Sequence, residues 1–99
     1  MKIRFSQHFA ERKKLRHIPN ELAEAILRDA DGHYHNGISG WNVAVKRMSF
    51  QGKERNIALT YTIDRNEIVL ITVHPLKEGQ KEQRINSGRW IAHEPTSLL

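Results

Sequence analysis

The sequence predicts an α+β fold, with two N-terminal helices packed on one face of a twisted antiparallel sheet of four to five strands. Three observations predict it. Leu22, Ala23, Ile26, Leu27 and Ala30 recur at helical spacing. Apolar and polar residues then alternate through most of residues 41–63. Short turn-forming stretches, NGISG, QGKE and DRNE, separate the alternating runs.

A first helix is expected over residues 6–16, ending where Pro19 disfavours helical geometry at Ile18. Pro19 suits the opening turn of a second helix, whose positive end is matched by Glu21 and Glu24. Gly32, in DADGH, ends it. A short strand at HYH, residues 33–35, is followed by the NGISG turn. WNVAVKRMSF alternates at Trp41, Val43 and Val45 and resumes on the opposite parity at Met48 and Phe50. Such a switch predicts a β-bulge at Lys46–Arg47. NIALTYTI points Ile57, Leu59, Tyr61 and Ile63 inward and Ala58, Thr60 and Thr62 outward. IVLITVH is apolar on both faces, as a central strand would be. The order is thus β-α-α-β-β-β-β. Residues 1–99 form a single domain, with residues 85–99 a C-terminal tail docked back on the body through SGRWI.

Composition narrows the function classes. A hydrophobic fraction of 38% and a charged fraction of 27% suit a folded domain. No apolar run reaches membrane-spanning length, and the basic N-terminus lacks the apolar segment of a signal peptide. With no cysteine there is neither a disulfide framework nor a thiolate metal site, which fits a reducing cytoplasm. Net charge is +5, and residues 1–18 alone carry six Lys and Arg against Glu11. Concentrated cationic charge suits a polyanionic partner, RNA or the ribosome, or else an acidic protein.

The first helix carries unusual chemistry. Phe9 and Leu15 lie about 120° apart on a helical wheel, and His8, Arg12 and Arg16 fill the sector between them. Groups there need partners, because an unpaired buried cation is costly. A backbone carbonyl and Asp29 or Asp31 would satisfy them structurally; a bound phosphate would do so functionally. Lys13 and Lys14 extend the cationic run.

The sheet offers a second polar set in Asn42, Lys46, Arg47, Ser49, Thr60 and Thr62. His74 and Thr72 share parity with Ile68 and Leu70, and an outward row would set His74 beside the threonines and the Lys46–Arg47 pair. Imidazole, hydroxyl and cation together suit phosphodiester cleavage by a ribose 2′-hydroxyl: the imidazole moves a proton and the cations stabilise the developing charge. That chemistry requires neither metal nor cofactor. His33 and His35 share a strand face without an obvious acidic third ligand. Trp90 beside Arg89 offers a surface for stacking on a base. No P-loop, GxGxxG, GxSxG or HExxH is present.

SQHFAERKKLRHIPNEL is similar to the opening of a small bacterial domain family of unknown function, in which a histidine precedes arginines at four-residue steps, an isoleucine and a second helix. VAVKR, GKERNIALTYT, IVLITVHP and SGRW resemble its later strands and tail. The family in turn resembles the RelE and BrnT ribosome-inhibiting toxins, which are metal-independent ribonucleases. That resemblance implies a RelE-like fold and a toxin-type endoribonuclease, with His8, Arg12 and Arg16 at signature positions and His74 at the end of the last strand. An acidic antitoxin would be its protein partner. Two departures stand out: His17 replaces a usual glycine, and no tyrosine follows Tyr61 to match a C-terminal phenol. The expected site is therefore His8, His74, Lys46 and Thr60 for chemistry, with Arg12, Lys13, Arg16, Arg47 and Arg89 on the nucleic acid and Thr72 as a second orienting hydroxyl. A binding module that cuts nothing, including a phage-type inhibitor, is the alternative.

Overall fold

Lys2–Phe5 (β1) alternates cation and apolar residue, and this four-residue pattern is enough to make a strand once a neighbour exists to pair with it. A computed structural model of the chain describes residues 2–7, 9–11 and 20–93. Within them lie a helical segment at residues 9–11 (α1), Asn20–Arg28 (α2), Gly32–Asn36 (β2), Asn42–Phe50 (β3), Lys53–Asp64 (β4), Glu67–Pro75 (β5), Gln80–Asn86 (α3) and Trp90–Ala92 (β6).

The strands make one six-stranded sheet in the order β1-β5-β4-β3-β2-β6. It is mixed: β1 runs parallel to β5, and the other pairs are antiparallel. This overturns the expected architecture. The sheet has six strands instead of four to five, and 51% of the described residues are strand. The described helices are short, and a third, α3, packs against the opposite face from α1 and α2. The described part of the first is residues 9–11, and most of the expected 6–16 span lies outside the described residues. β1 is the strand expected ahead of the helices, whereas β6 has only three residues, too few for periodicity to announce. The presumed tail of residues 85–99 supplies the last two residues of α3 and the sixth strand.

The second correction concerns β3. It pairs with β4 without a break from Asn42↔Tyr61 to Phe50↔Lys53, so there is no bulge at Lys46–Arg47. The parity change has a different cause, because β3 is apolar on both faces. Ala44, with Met48 and Phe50 packed against it, joins a core on the first face that includes Phe9, Ile26, Leu27, Leu59 and Tyr61. Val43 and Val45 join a second core with Ala58, Leu76 and Trp90, against which Tyr34 and Ile85 of α3 pack. Each fully buried Leu, Ile or Phe contributes roughly 1.5–3 kcal/mol of transfer free energy, so both cores hold the sheet.

Turn chemistry fixes the register. Gln51 and Gly52 have φ of 55° and 77°, and Arg65 and Asn66 have 50° and 64°. Two consecutive positive φ values are the mark of tight hairpin turns whose twist matches the strands.

No helix among the described residues is long and apolar enough to cross a membrane.

Candidate functional site

One irregularity in the sheet positions the site. Between β4 and β5 the register runs Ala58↔His74, Leu59↔Val73 and Thr60↔Thr72, then resumes at Tyr61↔Leu70. Ile71 is the extra residue, so the bulge lies in β5. An extra residue reverses side-chain parity. Ile68 and Leu70 therefore enter the first core together with Val73, while Thr72 and His74 turn to the second face. His74 and Thr72 thus do not share parity with Ile68 and Leu70, as regular alternation had implied. The threonines expected on the His74 face are there: Thr60 lies opposite Thr72, and all three residues are half-buried.

Ser6 pins this bulge. Its backbone N–H donates to the Leu70 carbonyl at 3.0 Å, and its hydroxyl donates to the Ile71 carbonyl at 3.4 Å. The same hydroxyl accepts the Phe9 N–H at 3.0 Å, which makes Ser6 the cap of α1. Sequence reasoning missed Ser6. The available signal was a serine three residues before the large apolar Phe9, at the start of a helical pattern.

The cations are dispersed. Lys46 lies on the first face, where Nζ donates to the Asp29 carbonyl at 3.1 Å. It is not beside His74, because an unbroken strand sends Lys46 and Arg47 to opposite faces. Arg47 lies on the His74 face but is held by Glu54 at 3.9 Å and Glu78 at 3.6 Å. Its backbone N–H donates to Asp31 Oδ2 at 2.6 Å. Arg89 is exposed beside β6, and β4, β3 and β2 separate that strand from His74 on β5. His8, Arg12, Lys13, Lys14 and Arg16 lie outside the described residues. The described residues carry twelve Lys and Arg against ten Asp and Glu, so most of the +5 net charge belongs to the other positions, chiefly Arg12–Arg16.

Trp90 is 2% exposed and cannot offer a face to a base. Tyr34 stacks on it at 5.6 Å between centroids, and the Arg84 guanidinium lies 5.1 Å from the ring centre. Burial lowers the Arg84 pKa from its usual value, and the charge of Arg89 lowers it further. The indole Nε1 is buried with no hydrogen-bond partner among the described residues.

His33 and His35 point to the first face. His33 Nδ1 meets the Tyr61 hydroxyl at 2.9 Å, and His35 Nδ1 meets Asn42 Oδ1 at 3.0 Å. Burial pushes the Tyr61 phenol up to about 12. Among the described residues, no group of three or more His, Asp or Glu is placed to hold a metal ion.

Comparison of the chain with family models, curated proteins and solved structures returns no match. The resemblance to a RelE- or BrnT-like family thus gains no support from them.

Proposed function

We propose that this protein is an endoribonuclease of the toxin type that cleaves RNA by attack of a ribose 2′-hydroxyl, without a metal. The observation that carries this reading is the bulge at Ile71, which brings His74 and Thr72 onto one face with Thr60. Bulges of this kind are over-represented beside active sites, where they re-aim a side chain. In this reading His74 moves the proton, and Thr60 and Thr72 orient the phosphate and ribose oxygens. Arg47 lies on the His74 face, where its guanidinium, paired with Glu54 and Glu78, adds positive charge to the field that draws in the RNA backbone. His8 follows Ser6, the residue bonded to the bulge, by two positions, and Arg12, Lys13 and Arg16 come next in the sequence. In this reading His8 is the second proton-transfer group, Arg12, Lys13 and Arg16 supply phosphate contacts, Arg89 supplies one at the far edge, and an acidic antitoxin in the cytoplasm would mask them.

The test is incubation of the purified protein with structured and ribosome-bound RNA in a chelator. Fragments ending in 2′,3′-cyclic phosphate support the reading, and intact RNA under all conditions removes it.

A second reading, RNA binding without cleavage, is favoured by one observation. Lys46 is on the opposite face from His74, and Arg47 is engaged by two carboxylates. That leaves the described site short of a committed cation for the transition state.

A further inference from the structure

Where β4 begins and the chain leaves β5, a small depression of about 40 Å³ is lined by Lys53, Glu54, Arg55, Leu76, Lys77 and Glu78. A single water needs much less space than that. Leu76 is 4% exposed and supplies an apolar wall. The three cations make no ion pair among the described residues. The two carboxylates do, and both pair with Arg47, which is not itself part of the lining. One guanidinium from the neighbouring strand therefore offsets the negative charge of the depression and leaves the positive charge in excess.

We propose that this depression binds a phosphate group, that of an RNA backbone, and that Arg47 keeps it receptive by holding Glu54 and Glu78. The proposal rests on the reading of the chain as an RNA-binding protein. It assigns Arg47 a positioning role, in which the guanidinium acts through the two glutamates without touching the phosphate. Lys53, Arg55 and Lys77 make the contact. Lys53 and Lys77 are exposed, and each carries a full charge on a flexible stem that can reach a phosphate oxygen over the mouth of the depression.

The experiment measures binding of a labelled single-stranded RNA to the full chain by fluorescence anisotropy, in chelator and at fixed salt. Every variant is checked for folding by circular dichroism. Lys53→Glu with Lys77→Glu should weaken binding tenfold or more and flatten the dependence on salt, because fewer counterions are released. Arg65→Glu, at the opposite end of β4, should weaken it much less. Glu54→Gln with Glu78→Gln should tighten binding, and Arg47→Ala should weaken it several-fold in the parent but not in that double-glutamine background. An equal loss from Arg47→Ala in both backgrounds would overturn the positioning role. Binding unchanged by Lys53→Glu with Lys77→Glu would overturn the site while leaving RNA binding intact. Inorganic phosphate, titrated into isotope-labelled protein, separates the sources. If RNA does not bind but phosphate shifts the amides of residues 53–55 and 76–78, the anion site stands and RNA as its source is overturned. If neither RNA nor phosphate acts there, the site is overturned as well.

Discussion

The Tyr61 hydroxyl and His33 Nδ1 lie 2.9 Å apart across the sheet, with the tyrosine fully buried and the two rings edge-on at 5.9 Å. The pair ties β2 to β4 beneath the first core. Tyr61→Phe should cost about 0.5–1.5 kcal/mol at neutral pH, the usual net value of such a bond. The difference should then change with alkaline pH. An unfolded tyrosine loses its proton near 10, whereas burial holds the folded one to about 12. Above pH 10 the unfolded chain therefore binds fewer protons. The contribution is present in full below pH 10 and is lost as pH rises towards 12, by about 1.4 kcal/mol per unit. Chemical denaturation of parent and Tyr61→Phe over that range measures it, and parallel pH profiles would contradict the account.

Gly32 is held to hydrogen by Tyr34. A Cβ at Gly32 would come within 2.6 Å of the Tyr34 hydroxyl and 3.0 Å of its ring. Gly32→Ala should push Tyr34 off Trp90 and cost about 1–3 kcal/mol, as overpacking does. Thermal melts and the near-ultraviolet dichroism of Trp90 read both effects.

The two tryptophans should respond oppositely to solvent. Trp41 is 41% exposed and Trp90 is 2% exposed beneath Tyr34 and Arg84. In single-tryptophan variants, acrylamide should quench Trp41 efficiently and Trp90 hardly at all. Added RNA should leave Trp90 emission unchanged, since the ring has no free face. Strong quenching of Trp90 by RNA would contradict this placement of the ring.

Much of the sheet was legible because β3, β4 and β5 are nine or more residues long, rich in β-branched and aromatic residues, and separated by turn residues. What misled was a second core. Alternation read on the assumption of one buried face turns Val43 and Val45 on one parity, and Met48 and Phe50 on the other, into a bulge. With α3 and Trp90 covering the far face, the same residues make a regular strand. The true bulge sits in IVLITVH, where apolar residues on both parities hide an inserted Ile71. Thr60, Thr72 and His74 were found together despite this. Lys46 and Arg47 were not, because adjacent residues of an unbroken strand cannot share a face. The depression at Lys53, Arg55 and Lys77 joins separated segments, which no local pattern reveals.

Lys46 offers a control on the proposed chemistry. With its ammonium on the Asp29 carbonyl and its side chain on the first face, Lys46→Ala should cost less than about 1 kcal/mol in stability. RNA binding and any cleavage should stay within twofold of the parent in gel and filter assays. A large loss of cleavage would place Lys46 in the site after all.

The rate of RNA cleavage by the parent and by His74→Ala, in chelator and with RNA binding measured in parallel, tests the central claim most directly. The account predicts that the parent cuts and leaves 2′,3′-cyclic phosphate ends. It also predicts that the substitution lowers the rate about 10²- to 10⁴-fold, the usual share of a proton-transfer group, with binding nearly unchanged. Cleavage that persists at the parent rate in His74→Ala, or a folded, antitoxin-free parent that binds RNA and leaves it uncut, would contradict it.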